Sequence, residues 1–212
     1  MIKKDRFKAF VDYFEYNMPE AETELNYSND FELLVAVILS AQCTDKRVNQ
    51  VTPALFEAYP TIESMSYATK EDIFNYIRSI SYPNNKSNHL VGMANMLVNK
   101  FNSTIPQTVQ ELQELPGVGR KTANVVASVL YDVAAMPVDT HVFRVSERIG
   151  LTTNAKTPLE CEKQLVKHFP KNKLSVAHHW LILHGRYTCL ARSPKCEDCG
   201  ISSICKFFKK KN

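Results

Sequence analysis

The sequence predicts an all-α protein, and two observations carry this prediction. Apolar residues recur at spacings of three and four along most of the chain, as they do on one face of an amphipathic helix. No stretch alternates polar and apolar residues over the length of a strand, and no hairpin turn signal joins two apolar runs. Because 44% of the 212 residues are apolar, the chain can bury a sizeable core.

In chain order, the first helix is predicted at 7–18 and the second at 31–42, after the breaker pair Asn29-Asp30. The second segment, FELLVAVILSAQ, is apolar on nearly every side, so we expect a central, buried helix. Its last turn ends in Gln42, a residue that packing in a buried helix does not explain.

Seven further segments show the helical period, and prolines lie between most of them because proline cannot continue a helix. The prolines that act as breakers are at positions 83, 106, 137, 158 and 170. The predicted helices span 70–80, 88–101, 108–115, 120–133, 140–150, 158–169 and 175–189.

The stretch LPGVGRKTANVV at 115–126 breaks the helical pattern with two glycines, each costly by about 0.5–1 kcal/mol inside a helix. Pro116 ends one helix, Gly117-Val118-Gly119 forms a tight turn, and Arg120 begins the next helix. The first backbone N–H groups of that helix have no internal partner, and the helix dipole makes this end positive. We therefore expect a site for a nucleic-acid phosphate, with an ordinary helical corner as the alternative.

Lys121 lies in the first turn of the helix that follows the glycines. The positive helix end disfavours the charged form of its amine, so Lys121 can act as a neutral nucleophile that forms a Schiff base. The alternative is that Lys121 contacts phosphate as a simple positive charge.

Asp139, in MPVDTHVFRV, precedes the predicted helix at 140–150 and fits the N-cap position of that helix. It is also a candidate for a carboxylate that faces Lys121 across a cleft and stabilises positive charge developing on a sugar carbon. The two roles are compatible.

Four cysteines fall within a short loop sequence, CLARSPKCEDCGISSIC, in the pattern C-x6-C-x2-C-x5-C. Cys189, Cys196, Cys199 and Cys205 are therefore candidate metal ligands. Zinc is commonly held by two C-x2-C pairs and only one is present, so the spacing favours a [4Fe–4S] cluster; disulfides are the remaining alternative. Cys43 and Cys161 lie outside the pattern and are expected to be ordinary thiols.

The formal net charge is +4, and basic residues concentrate in the last part of the chain. Such a basic end suits a polyanion such as nucleic acid, although a solubilising tail would have the same composition. The basic residues are Arg186, Arg192, Lys195, Lys206, Lys209, Lys210 and Lys211, opposed by Glu197 and Asp198.

The sequence contains no signal peptide and no apolar run long enough to cross a membrane, so we expect a cytoplasmic protein with reduced thiols and no membrane partner.

Over nearly its whole length the chain resembles the endonuclease III family, the helix-hairpin-helix DNA glycosylases with AP lyase activity. The resemblance rests on ILSAQCTD, LPGVGRKTANVV, VDTHVFRV, HGRYTC and the cysteine loop, in this order. It implies a two-domain helix-hairpin-helix glycosylase fold. Residues 23–133 would form a six-helix barrel ending in the hairpin, and residues 1–22 with 134–212 would form a domain that carries a [4Fe–4S] cluster in loop 189–205.

The resemblance also implies a reaction. A monomeric enzyme, bound to the nucleoid when it is on DNA, would act on double-stranded DNA that contains damaged bases or abasic sites. It would flip out an oxidised pyrimidine. Lys121 would attack C1′ with support from Asp139, and β-elimination would then cut the strand 3′ to the site. Gln42 would fill the gap, and Tyr82 would wedge the opposite strand, where a leucine is common in the family. The implied DNA contacts are Gln42, Tyr82, Gly117, Val118, Gly119, Arg120, Thr122, His141, Arg144, Arg192 and Lys195.

Two alternatives stay open from the sequence. An adenine mismatch glycosylase of the same superfamily shares the cysteine spacing, but that family lacks a lysine at position 121 and uses a glutamate on the helix that here reads VAVILSAQ. A non-catalytic, cluster-bearing DNA-binding module would keep the hairpin, the basic end and the cluster. The combination of Lys121 with Asp139 argues against such a module.

Overall fold

The computed structural model describes residues 1–211, and in that range the regular structure is entirely helical, which confirms the all-α prediction. No helix in the same range has both the length and the apolar character that a bilayer crossing requires. Two 3₁₀ turns lie at Lys171–Lys173 and Ser202–Ile204. The α-helices in this range are α1 Lys3–Asn17, α2 Asp30–Ser40, α3 Asp45–Ala58, α4 Ile62–Ser66, α5 Lys70–Ile77, α6 Pro83–Phe101, α7 Val109–Leu112, α8 Arg120–Tyr131, α9 Thr140–Ile149, α10 Pro158–His168, α11 Leu174–Tyr187 and α12 Lys206–Lys211.

The chain folds as two compact units. One is Glu24–Asp132, which contains α2 to α8 and which we call the hairpin unit. The other joins Met1–Thr23 to the described residues from Val133 onward, contains α1 and α9 to α12, and is called the cysteine unit below. The second unit is therefore assembled from the two ends of the chain.

In the hairpin unit, α2 is the central helix. Every residue from Phe31 to Leu39 is buried apart from Glu32, and α3, α6 and α8 pack around this helix. Its start is fixed by Asn29, whose side chain accepts a hydrogen bond of 2.9 Å from the backbone N–H of Glu32. Full burial of each large aliphatic side chain contributes about 1.5–3 kcal/mol, so the apolar run in FELLVAVIL contributes much of the stability of this core.

The core of the cysteine unit is aromatic. Phe10 and Phe14 of α1 pack against Trp180 of α11, with Phe14 stacked on Trp180 at a centroid distance of 5.8 Å. The buried indole of Trp180 donates to the carbonyl of Met18 at 2.7 Å. Gly185 lets α11 approach α9 closely, since a Cβ there would lie 3.0 Å from the Cβ of His141.

The structure differs from the sequence prediction in the helices that contain or follow proline. Helix α3 carries Pro53 inside it, which removes one backbone hydrogen bond but does not end the helix. Pro83 was expected to separate helices, yet it occupies the first turn of α6, where a missing N–H costs nothing. The predicted helix at 108–115 is only Val109–Leu112, because Leu115 already belongs to the turn before the glycines.

Candidate active site and metal centre

The glycine hairpin of 116–119 connects α7 to α8 by a turn in which Val118 N–H donates to the Leu115 carbonyl at 3.0 Å. Gly117 has φ +81°, a left-handed conformation that side chains rarely adopt. A Cβ at this position would also lie 2.8 Å from the Cβ of His89 on α6. Backbone conformation and packing therefore both require glycine at 117.

Gly119, two residues later, is not required by the protein's own structure. Its φ of −83° suits any residue, and a Cβ there would meet nothing within 4 Å. Gly119 is the N-cap of α8 and provides no side-chain cap for the first turn of that helix. The missing side chain leaves open space over the positive end of α8, where an anion can approach the backbone.

Lys121 is exposed in this first turn, as is Arg120 beside it. Val118 and Thr122 are buried at 6% and 7% exposure, so their side chains are not available to a ligand on this surface. Pro116 packs on Gly92 of α6, where an added Cβ would lie 3.3 Å from the proline ring, so the hairpin is fixed against a long helix. The exposed amine of Lys121 is thus presented from a rigid support.

Gln42 and Tyr82 lie in two loops of the same unit, and both side chains are exposed. Both backbones are left-handed, with φ +55° at Gln42 and +57° at Tyr82. A non-glycine residue in this region costs about 1–3 kcal/mol, and such strain concentrates at functional sites. Nothing in the sequence signals this strain, because Gln and Tyr are not residues that favour positive φ.

Asp139 is the N-cap of α9, with its Oδ1 accepting from Val142 N–H at 2.8 Å. The capping role considered from the sequence is therefore confirmed. The side chain is half-buried and lies in the cysteine unit, whereas Lys121 lies in the hairpin unit.

His141 and Arg144 follow on the first turns of α9, and both are half-buried. Arg144 Nη2 donates to the carbonyls of Gly185 at 2.9 Å and Cys189 at 3.1 Å, and lies 3.2 Å from His141 Nδ1. Its guanidinium is thus directed at α11 and the start of the cysteine loop.

The cysteine loop, residues 189–205, begins just after α11. None of the four cysteines forms a disulfide, and each is half-buried. All four line one pocket of about 340 Å³, counted with the open space at its mouth. Arg192 and Lys195 lie on the exposed outer stretch of the loop.

The donor set of this pocket fits an iron–sulfur cluster. Four thiols that line one pocket match the four-cysteine ligand set that holds a [4Fe–4S] cluster. Burial raises the pKa of the Cys199 and Cys205 thiols, so an iron ion bound to them would have to stabilise their thiolate forms.

Two arginines that the sequence analysis did not single out hold the ends of the loop. Arg148 of α9 donates to the carbonyls of Leu190 at 2.7 Å and Ala191 at 2.9 Å, and its Nη1 lies 3.5 Å from the Cys189 sulfur. Arg6 of α1 is buried and donates from Nε to the Ile204 carbonyl at 2.9 Å. No spacing signal marks either residue, because their partners are distant backbone carbonyls.

The helical units, the bare glycine hairpin and the four-cysteine loop together define the class of helix-hairpin-helix base excision repair proteins. A family described as "HhH-GPD superfamily base excision DNA repair protein" matches residues 35–171. The "iron-sulfur binding domain of endonuclease III" matches residues 189–205, which confirms the [4Fe–4S] cofactor expected from the cysteine spacing.

Similarity to individual proteins extends over the whole chain. Endonuclease III of Bacillus subtilis is 46% identical over 212 residues, covering 100% of this chain and 97% of that protein. Endonuclease III of Rickettsia prowazekii is 48% identical over 195 residues, 92% of each chain. A solved endonuclease III–DNA complex, described as a trapped covalent intermediate, superposes with a TM-score of 0.93 at 44% identity, covering 100% and 99% of the two chains. The chain belongs to the endonuclease III family.

Proposed function

We propose that this protein binds duplex DNA containing an oxidised pyrimidine or an abasic site, releases the damaged base and cuts the strand 3′ to the site. The observation that carries this proposal is the exposed side chain of Lys121 in the first turn of α8, two residues after Gly119, an N-cap without a side chain. That arrangement sets a nucleophile next to a place where a backbone phosphate can bind. A related endonuclease III forms a covalent intermediate with DNA, which supports a nucleophilic mechanism.

The DNA backbone would be held mainly at the hairpin. Backbone N–H groups of Gly117 and of residues 119–122 would donate to a phosphate, and Arg120 would add a positive charge. Arg192 and Lys195 on the cysteine loop, with His141, would contact phosphates elsewhere. Arg144 would act by holding the loop, since its Nη2 already donates to two carbonyls. These contacts fix the position of the duplex without reading its sequence.

Base removal requires the nucleotide to leave the stack, because its sugar is otherwise out of reach. Gln42 would fill the resulting gap and Tyr82 would enter from the side of the opposite strand. Their exposure and their strained backbones support this role.

The chemistry proceeds by proton and electron-pair transfers at the sugar. The Nζ of Lys121 attacks C1′ as the glycosidic bond breaks, and the base leaves with the bonding electron pair and takes up the proton that Nζ gives up. Opening of the sugar ring, with protonation of its oxygen by solvent, gives a Schiff base between Nζ and C1′. That iminium acidifies the C2′ protons; water takes up one of them, the 3′ phosphate leaves with the electron pair and the C3′–O bond breaks.

Asp139 would stabilise the positive charge that develops at the sugar as the base leaves. It would do so while it caps α9, since one carboxylate oxygen binds Val142 N–H and the other remains available. The bound cluster, held by Cys189, Cys196, Cys199 and Cys205, would fix the loop that carries Arg192 and Lys195. We expect a monomer to be sufficient, acting in the cytoplasm on chromosomal DNA.

Borohydride trapping tests the reaction directly. Incubation with a thymine-glycol duplex and reduction should give a covalent protein–DNA complex, together with 3′ cleavage products in the unreduced sample. Absence of any adduct from the wild-type protein, with DNA binding intact, would instead support a non-catalytic DNA-binding module. Release of adenine from a mismatch would support the adenine glycosylase; neither alternative is favoured by the relatives of this chain.

Substitution of Asp139 by Asn tests the role of the negative charge in base release separately from the role of the side chain as the N-cap of α9. Asn is as good an N-cap as Asp, so the stability of α9 should hold while base release slows by about 10²-fold. Asp139→Ala provides the comparison, because it removes the cap as well. Unchanged base release in Asp139→Asn would restrict Asp139 to capping.

A further inference from the structure

Lys86, in the first turns of α6, is a buried lysine with 5% exposure. Its Nζ donates to the backbone carbonyls of Leu39 at 2.8 Å and Ala41 at 2.6 Å. These carbonyls lie at the C-terminal end of α2, where the helix dipole is negative and carbonyls lack helical partners. Lys86 therefore binds the end of α2 with a positive charge.

Burial of this charge is costly, and desolvation lowers the pKa of the Lys86 amine accordingly. A glycine after the last turn of α2 would end the helix without such a cost. Here the position after Ala41 is Gln42, an exposed residue held at φ +55°. The hydrogen bond from Lys86 to the Ala41 carbonyl fixes the peptide that leads directly into Gln42.

The backbone of the same lysine binds the second strained loop. Lys86 N–H donates to the carbonyl of Tyr82 at 3.1 Å, which is the first helical hydrogen bond of α6, and Tyr82, the N-cap, has φ +57° immediately before Pro83. One residue thus holds two exposed, left-handed positions from separate parts of the chain, by its side chain and by its main chain.

We propose that Lys86 is a positioning residue that sets the distance between Gln42 and Tyr82, so that both enter the duplex together as a nucleotide leaves the stack. The inference rests on the proposed function, since it assigns these two side chains to the gap and the wedge. Lys86 itself would contact no DNA, because its amine is buried and engaged with carbonyls.

The test compares single-turnover base removal from a paired lesion with removal of the same lesion from a single-stranded oligonucleotide, which has no opposite strand to separate. Lys86→Met removes the charge and donors at similar length. It should slow the duplex reaction by about ten- to hundredfold and leave the single-strand reaction within about twofold of wild type. Lys163→Met, at an exposed lysine of α10, is the matched control and should change neither rate.

Equal slowing of both reactions by Lys86→Met would overturn the inference, because general damage to the unit would act on both. Should Lys86→Met fail to fold, Lys86→Arg, which keeps charge and donors on a differently shaped group, must show the same selective loss.

A double-mutant cycle with Gln42→Ala provides a second measure. If the double variant removes the base from the duplex no more slowly than Lys86→Met alone, the inference is supported. If the two substitutions slow the reaction independently, so that their effects multiply in the double variant, the inference is contradicted. Failure of the wild-type protein to act on the duplex would refute the proposed function itself and is distinguishable from all of these results.

Discussion

The glycine hairpin and the cysteine loop reach a defined shape by different means. The hairpin is defined by its own backbone, since Gly117 takes a left-handed conformation and packs on neighbours from α6. The cysteine loop depends on distant side chains, for example Arg6, which donates to a carbonyl 198 residues away in the sequence. The hairpin therefore depends on its own glycine and on two neighbours in α6, His89 and Gly92, whereas the loop depends on arginines from α1 and α9 that no sequence motif contains.

The largest expected effect separates chemistry from binding at the hairpin. Lys121→Ala should lower borohydride trapping and strand cleavage by at least about 10³-fold, because the nucleophile is removed. Duplex binding should persist, since the backbone N–H groups after Gly119 remain. Arg120→Ala is the neighbouring control, and it should weaken binding while retaining the trapped adduct. Trapping that survives in Lys121→Ala would mean that another amine forms the Schiff base.

The two glycines should respond differently to the same substitution. Gly117→Ala should reduce the free energy of unfolding by about 2–3 kcal/mol, because alanine is strained at positive φ and clashes with His89. Gly119→Ala should leave stability within about 0.5 kcal/mol and instead weaken duplex binding, since the added methyl group occupies the space above the helix end. Urea unfolding and DNA titration of both variants would measure this contrast. Equal stabilities for the two variants would contradict the hairpin geometry.

Acid should weaken the cysteine unit through a buried histidine on α11. Burial, with a contribution from Arg186, lowers the pKa of His179 from 6.5 to about 4. The unfolded chain therefore takes up this proton first as the pH falls, so the stability from neutral His179 is complete above pH 6.5 and lost between pH 6.5 and 4. Between pH 7 and 5 the loss should be about 2 kcal/mol.

The fluorescence of Trp180, the single tryptophan, reports unfolding of this same unit. In His179→Leu, the difference in unfolding free energy between pH 7 and pH 5 should shrink by about the 2 kcal/mol assigned to His179. An unchanged pH dependence would show that other groups account for the acid sensitivity.

The smallest effect is expected where the loop is anchored. Arg148→Met removes hydrogen bonds to Leu190 and Ala191 and the approach to the Cys189 sulfur. Each hydrogen bond from a charged donor contributes at most about 1.5–3 kcal/mol. Without these bonds, the cluster should dissociate roughly tenfold faster. Decay of the cluster's visible absorbance in the presence of a chelator would measure it. Arg192→Met, on the exposed stretch of the same loop, should leave the decay rate unchanged.

Sequence patterns predicted the helices best where the apolar period was uninterrupted, as in α2 and α8. They placed the start of α6 five residues too late, since Pro83 begins that helix, and they did not predict α3, which contains Pro53. The N-cap role of Asp139 could be inferred because capping is a local interaction with the next turn. The roles of Lys86 and Arg148 could not, because a hydrogen bond to a remote carbonyl leaves no mark on local spacing.

By itself, the sequence determined the helical class, the turn at Gly117, the bare start of α8 and the group of four cysteines that line one pocket. These features depend on backbone geometry and on residue types within a few positions of one another. Only the tertiary structure decided that Gln42 and Tyr82 are strained and joined through Lys86, and that arginines from α1 and α9 hold the cysteine loop. Such contacts arise when packing buries a charged side chain, and the buried charge must then bind whichever carbonyls the fold has brought within reach.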